Sequence, residues 1–292
     1  MGGPNHDIVE LAAALPQGAR VLDLGCGEGR NSFYLAGRGC EVTAVDISRA
    51  AIAKLSALAD RAGFAIEAEV ADIAGYEPAG DFDLVMAHGV IDYLENAVWR
   101  RLLDWIRERT RAGGFNAYTC MLFTARHPTL PELADAGFKH SLAQGELAAY
   151  YGDWMPIRHD RYVKWDQHPG VPLHRHPVDK VVARRPGGTG PRARISPVPA
   201  GDEPLPRRLF DRIAMGLPAA ELTDLCGRPD AIDRFTAAGV QLGVGPASTV
   251  DGYSLSLWYY GRSVIHVVNG TVWGRSIYQS KPLRVSFHPP AD

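Results

Sequence analysis

The apolar positions of the chain repeat at two periods as far as about residue 183. Short apolar or alternating runs at 19–25 (ARVLDLG), 41–47 (EVTAVDI), 65–72 (AIEAEVAD), 82–89 (FDLVMAHG) and 115–123 (FNAYTCMLF) predict strands. Between them, 31–39 reads as a short helix and 50–63 as a helix with Ile52, Leu55 and Leu58 on one face. Residues 96–114 read as a helix that gathers Trp99, Leu102, Leu103 and Ile106 and ends at the double glycine Gly113-Gly114. This alternation predicts an α/β fold, a doubly wound and mostly parallel sheet with helices on both faces.

Past residue 124 the rhythm changes. Residues 124–141 read as loop, 145–154 as a short helix, and 155–165 with 174–185 as a pair of strands closing one edge of the sheet. Residues 186–206 are rich in Pro and Gly and poor in large apolar side chains, the composition of a semi-extended linker. A helical pair over 207–232, an alternating run at 253–260 and two apolar runs joined by Asn269-Gly270 follow, the last a hairpin signal. The expected organisation is an α/β domain at 1–185, a linker at 186–206 and a small α+β module at 207–292, its two helices packed with an antiparallel sheet.

Composition narrows the function classes. The 292 residues leave room for one sizeable domain and a small one, and a net charge of -2 gives no electrostatic case for nucleic acid or an anionic membrane. Cys26, Cys40, Cys120 and Cys226 show no metal spacing, which reads as a reduced, cytoplasmic chain. The first residues lack a basic-then-apolar secretory pattern, and no run approaches the ~18 apolar residues of a membrane span.

The chemistry begins at VLDLGCGEGRN, residues 21–31. A strand that ends in Gly-x-Gly-x-Gly and opens a helix brings backbone N–H groups close to a ligand. The spacing departs from the G-x-G-x-x-G of NAD-binding turns, which disfavours an NAD-dependent oxidoreductase. Asp46, about 20 residues on at the end of the second strand, is placed to accept from ribose hydroxyls. Asp72 follows the third strand, placed for an adenine amino group, with Ile73 beside it to cover the ring.

Residues 20–123 resemble class I S-adenosylmethionine-dependent methyltransferases, whose glycine motif and strand-end acids match VLDLGCGEG, VDIS and ADI. GCGEGRNSFYLA, GELAAYYGDW and LHR at 173–175 are similar to the tellurite-resistance, TehB-like branch, with its seven-stranded sheet. The resemblance implies that Asp23, Gly25, Cys26 and Gly27 hold the methionyl end of the cofactor. It gives Asp46 and Ile47 the ribose side, and Asp72 with Ile73 the adenine. Arg30 and Asn31 would meet the cofactor carboxylate or a substrate. His88 and Tyr93, the latter in the helix after the fourth strand, would face the methyl-transfer zone, His88 also touching cofactor.

Methyl transfer needs alignment first, and a base only where the acceptor arrives protonated. From the edge strand, Arg175 could pin an anionic acceptor, and His174 or His176 could serve as base; an alternating His-Arg-His that simply faces water is the other reading. No ligand set for a metal completes this motif. The TehB-like pattern continues LHRTD, whereas this chain has LHRHPVDKVVARR, and His159, His168 and Pro169 mark further divergence. The expected acceptor is therefore a small soft nucleophile (a thiol or chalcogen compound) or a heteroatom of a natural-product peptide. A regulatory protein that binds the cofactor without turnover is the alternative.

Residues 210–278 look like SmpA/BamE or β-lactamase-inhibitor-like modules, which implies a protein partner, a presented peptide or self-association. Trp258, Tyr259, Tyr260 and Trp273 either form an aromatic peptide face or fill a half-buried sheet.

Overall fold

The computed structural model describes residues 3–124, 130–132, 137–139, 142–166, 173–188, 190–237, 253–268 and 270–288. Most of the loop expected over 124–141, and His168 with Pro169, lie outside the described residues. The strands are β1 (Arg20–Leu24), β2 (Glu41–Asp46), β3 (Ile66–Val70), β4 (Phe82–His88), β5 (Thr110–Met121), β6 (Met155–Asp166), β7 (His174–Arg184), β8 (Arg192–Pro197), β9 (Ala231–Ala237), β10 (Tyr253–Tyr260), β11 (Ser263–Val268), β12 (Thr271–Tyr278) and β13 (Leu283–His288). The helices are α1 (His6–Ala12), α2 (Arg30–Ala36), α3 (Arg49–Ala62), α4 (Asn96–Arg109), α5 (Glu146–Tyr150), α6 (Arg207–Phe210) and α7 (Ala219–Cys226).

One 11-stranded sheet runs β3-β2-β1-β4-β5-β7-β6-β12-β11-β10-β9. The portion β3-β2-β1-β4-β5 is wholly parallel, as alternation with helices predicts. The expected seven-stranded sheet is thus present and is extended, not closed, at β6. Tyr278, Ile277 and Ser276 of β12 pair with Tyr162, Val163 and Lys164 of β6, so the C-terminal strands continue the same hydrogen-bonded sheet. The stacked rings of Tyr162 and Tyr278, 4.9 Å apart, reinforce that junction.

Two local expectations are corrected, and one helix was not expected. The helix over 96–114 ends at Arg109 and passes directly into β5, where Thr110 donates from Oγ1 to Ile106 O and accepts from Asn116. The double glycine lies inside the strand because a Cβ at Gly114 would come within 2.9 Å of the Asp83 carbonyl oxygen. The expected linker contains β8, which pairs antiparallel with β13 as a second, two-stranded sheet. Helix α1 carried no signal in the sequence reading, being only 7 residues long.

Alternate side chains of the sheet face opposite layers. On one face Val21, Leu84, Met86, Phe115, Ala117, Val182 and Tyr162 pack under α1, α2 and α3. On the other, Val85, Tyr118 and Val181 pack against α4 and α5, and Ile265 with Val267 against α6 and α7. Helix α3 has Ser48 as N-cap, its side chain accepting from Ala51 N at 3.3 Å, and Gly63 in the left-handed conformation as its stop, a cap contributing about 1 kcal/mol. Tyr150, Tyr151 and Trp154 all pack around the Arg107 guanidinium of α4, with centroids 5.2–5.5 Å away. Tyr259 and Tyr260 are buried on opposite faces of the sheet, Tyr259 in the main core and Tyr260 against α6 and α7, while Trp273 stands exposed, so the aromatic peptide face does not form as one surface.

Candidate functional site

The glycine turn is built by the two strands beside it. Gly25 N and Cys26 N both donate to Val45 O, at 2.8 and 2.9 Å, and Gly27 N donates to Asp46 Oδ2 at 2.8 Å. Asp46 Oδ1 accepts from Ser48 N at 2.8 Å, so this acid clamps the turn from the end of β2. Gly25, Gly27 and Gly29 all have positive φ, 68°, 55° and 80°. A Cβ at Gly25 would lie 2.5 Å from Val90 Cγ2 and one at Gly29 would strike Leu55, yet one at Gly27 would meet nothing within 4 Å. The turn is packed from beneath and open above Gly27. That is the shape of a cradle.

The sequence-predicted residues distribute around this opening. Asp23 is buried at the end of β1 and accepts from Ser32 Oγ at 2.6 Å. Burial pushes its carboxyl up to about 6, although the Ser32 hydroxyl and the Arg30 guanidinium pull the other way. Arg30 opens α2, half-buried. Asn31 is buried with its Oδ1 taking Asn5 N at 2.9 Å, which ties down the N-terminal segment. Burial also raises the Cys26 thiol, so it stays protonated. Ile47 is 72% exposed next to Asp46, whereas Ile73 is buried in the core, and Asp72 caps its own turn by accepting from Ala74 N at 2.9 Å. Of the two isoleucines, Ile47 offers the free apolar surface.

At the carboxyl end of β4, His88 Nδ1 lies 2.9 Å from Thr119 Oγ1 of β5, and its Nε2 lies 3.6 Å from Asp7 Oδ2 of α1. Lys180 of β7, directly opposite Thr119, donates to Asp7 Oδ1 at 2.5 Å. Burial drives the His88 imidazole down to about 4. Burial alone would raise Asp7, but Lys180, His88 and His6 hold it well below the ordinary carboxylate range. Strands β7 and β6 then overhang the carboxyl edge, because β5 stops at Met121 opposite Val178 while β7 begins at His174.

The overhang separates the expected His-Arg-His group. His174 and His176 stack 5.5 Å apart on the face shared with His88 and Lys180. Arg175 points to the opposite face, 6.0 Å over the Trp165 ring, and does not join them. Tyr93 sits in a short 3-10 turn, not a helix, is 39% exposed and lies tilted against Phe138, ring centroids 4.4 Å apart.

Residues the sequence reading missed are His6, Asp7, Thr119, Lys180, Asp92 and His266. Asp92, fully buried between β4 and β5, accepts from Met121 N at 3.1 Å, and burial pushes it up to about 7. The available signal was a charged or polar residue inside an apolar run, as for Lys180 in VDKVV and His266 in VIHVV. Two surface hollows of about 380 and 370 Å³, around Arg20, Thr43, Glu67 and Phe82, lie at the amino ends of the strands, away from all this chemistry. Among the described residues no group of three or more His, Cys, Asp or Glu is arranged for a metal ion, and no helix is long and apolar enough to cross a membrane.

Comparison with known proteins follows the same geometry. The sequence model of the family described as "Tellurite resistance protein TehB" matches residues 3–168. A Haemophilus influenzae (strain ATCC 51907 / DSM 11121 / KW20 / Rd) protein named "Probable S-adenosyl-L-methionine-dependent methyltransferase TehB" is 32% identical over 51% of this chain and 50% of its own length. "Hemagglutinin 1" of Eikenella corrodens is 29% identical over 54% of this chain and 51% of its own. The crystal structure of TehB from Haemophilus influenzae superposes with a TM-score of 0.56 at 26% identity, covering 62% of each chain. The chain spans about half the length of these curated relatives.

Proposed function

The chain belongs to the tellurite-resistance TehB family, and from that premise we propose that it is an S-adenosylmethionine-dependent methyltransferase whose acceptor is a small soft nucleophile or a heteroatom of a natural-product peptide. The observation that carries this reading is the cradle: a glycine turn open only above Gly27 and clamped by Asp46, with exposed Ile47 at its rim. The residues present fit the cofactor. Asp46 keeps lone pairs for ribose hydroxyls beyond the two it gives to backbone. Asp23, with Arg30 close by, suits a methionyl ammonium and carboxylate. When bound, the cofactor supplies a sulfonium methyl, lost to the acceptor's lone pair as sulfur keeps the bonding electrons.

The protein's own part is alignment and exclusion of water. The segment Asn5–Asp7 is held over the edge by Asn31 and Lys180. His88, driven to about 4, is a poor base at neutral pH. That favours an acceptor arriving already deprotonated, as a thiolate or chalcogenide does. Four free cysteines suit a reducing, cytoplasmic setting. For residues 207–292 the proposal keeps the SmpA/BamE-like module, with α6 and α7 followed by antiparallel β9 to β12 in its support. The division at 186–206 is then one of labour between cofactor site and extension.

Calorimetric titration with S-adenosylhomocysteine tests the core of this reading. The wild type should bind and Asp46→Ala should lose at least tenfold in affinity while retaining a cooperative melt. Absence of binding to the wild type would remove the methyltransferase reading altogether.

A further inference from the structure

We propose that His266, contributed by the C-terminal extension, is a specificity residue that contacts an anionic group of the methyl acceptor, so that β11 forms one wall of the acceptor chamber. The inference rests on the methyltransferase reading for the acceptor and its chamber, and on strand register and ring contact for the placement of His266.

The sheet register makes the argument. Lys164 of β6 pairs with His176 of β7 and with Ser276 of β12, and Ser276 pairs with Val264 of β11. All four lie beyond Met121, where β5 has ended. One step further out, His266 pairs with Gly274. With two residues per repeat, His266 shares the face of Val264, Tyr162 and Lys180, the face covered by α1. The contact follows: His6 meets the His266 ring edge-on, centroids 5.9 Å apart. His6 and its neighbour Asp7 thus span from His266 to the Lys180–His88 pair at the end of β4 and β5.

Under this span the buried His266 Nε2 makes no hydrogen bond, whereas His88 Nε2 and Asp7 Oδ2, also without one, face each other at 3.6 Å. A buried polar group without a partner is unfavourable. The unpartnered His266 Nε2, beside His6, marks a seat for a polar ligand group. The ligand's sign follows from the donors. Lys180 has three N–H groups and gives one to Asp7, and His6 and His266 each offer an imidazole that burial keeps neutral. Among the described residues Asp7 is the carboxylate ion-paired with Lys180 and His88, while Lys180, Lys164 and Arg30 are the cations that act on His266. A small anionic group, carboxylate or oxyanion, fits a site of this kind. Both His266 and Lys180 lie outside residues 3–168, so this wall belongs to the part of the chain beyond the family match.

The test uses the full chain loaded with S-adenosylhomocysteine, and the probes are sodium acetate and sodium sulfate, titrated by calorimetry. His266→Ala should weaken probe binding at least fivefold while cofactor affinity stays within twofold. His266→Gln, which keeps an N–H donor, should recover more than half of the loss. Trp273→Ala, on the exposed side of the same hairpin, should bind as wild type does. In 1H–15N spectra the His266 ring signals, identified by their loss in the Gln variant, should shift when acetate is added. Equal probe affinity in wild type and His266→Ala overturns the proposal. So does a wild type that binds neither probe, or a cofactor affinity that falls in step with probe affinity. The titrations are repeated without S-adenosylhomocysteine, so failure to bind cofactor would strike the methyltransferase reading while the anion result still decides this one.

Discussion

Two carboxyl groups illustrate how single positions set pH behaviour. Asp23 is raised to about 6 by burial, and it is the acid best placed for a cationic amino group in the cradle. Below that value it is protonated and offers such a cation no charge. S-adenosylhomocysteine affinity should therefore climb as pH rises from 5 to 7 and then level off, and in Asp23→Asn the profile should be flat across that range. Asp92 acts on stability instead. Burial raises its carboxyl from the ordinary 3.8 to about 7 in the folded protein, so the fold favours the protonated form. The stability so gained is full below the unfolded value and is lost as pH rises through the folded one. At pH 8 the buried carboxylate costs up to about 4 kcal/mol by linkage. Denaturant midpoints of Asp92→Asn should vary less than wild type between pH 5 and 8, and parallel curves would refute the assignment. Asp23 announced itself in VLDLG by sitting beside a glycine turn. Asp92 gave no comparable sign, because an acid after a strand reads as solvated until its neighbours are known.

At the scale of elements, the glycine turn separates packing from function. Gly25→Ala forces a Cβ onto Val90 and a side chain into positive φ, so it should lower stability by about 1–3 kcal/mol and abolish cofactor binding together. Gly27→Ala meets open space, so its cost should stay near the ~1 kcal/mol of left-handed backbone strain. Its methyl group nevertheless enters the cradle, and S-adenosylhomocysteine affinity should fall at least tenfold. Melting and calorimetry on the two variants check this, and tight binding by Gly27→Ala would mean the opening is not the cofactor's. The strands and helices around this turn were legible because one-sided burial imprints a period of 2 or 3.6 on the sequence. What was not legible has physical causes. Helix α1 is two turns long, and its polar residues His6, Asp7 and Glu10 point inward to partners far along the chain. Among the described residues strand β8 pairs only with β13, nearly 90 residues on, and its alternating pattern is diluted by prolines. The His-Arg-His motif was read as one group, yet strand geometry sends its members to opposite faces.

For the whole molecule, the decisive fact is that the C-terminal extension shares the sheet of the cofactor site, which composition at 186–206 argued against. Arg158 of β6 is the residue through which this unity can be tested. Its buried guanidinium donates to Glu10 of α1 at 2.7 and 3.0 Å, to Asp160 at 2.7 Å and to the Leu283 carbonyl of β13 at 3.2 Å. The N-terminal helix, the central sheet and the last strand thus meet at one side chain. Arg158→Ala leaves two buried carboxyl groups unpaired, a loss of about 3–5 kcal/mol for a broken buried pair. If the sheet is one cooperative unit, unfolding in denaturant should remain a single transition, moved to lower midpoint by that amount. Hydrogen exchange should quicken together at residues 6–12 and 283–288, because each loses the same anchor. Two separated transitions, or faster exchange at one end alone, would mean that the extension folds as an independent domain. In that case the His266 wall would be a contact between domains, free to open, and no longer a fixed part of the sheet.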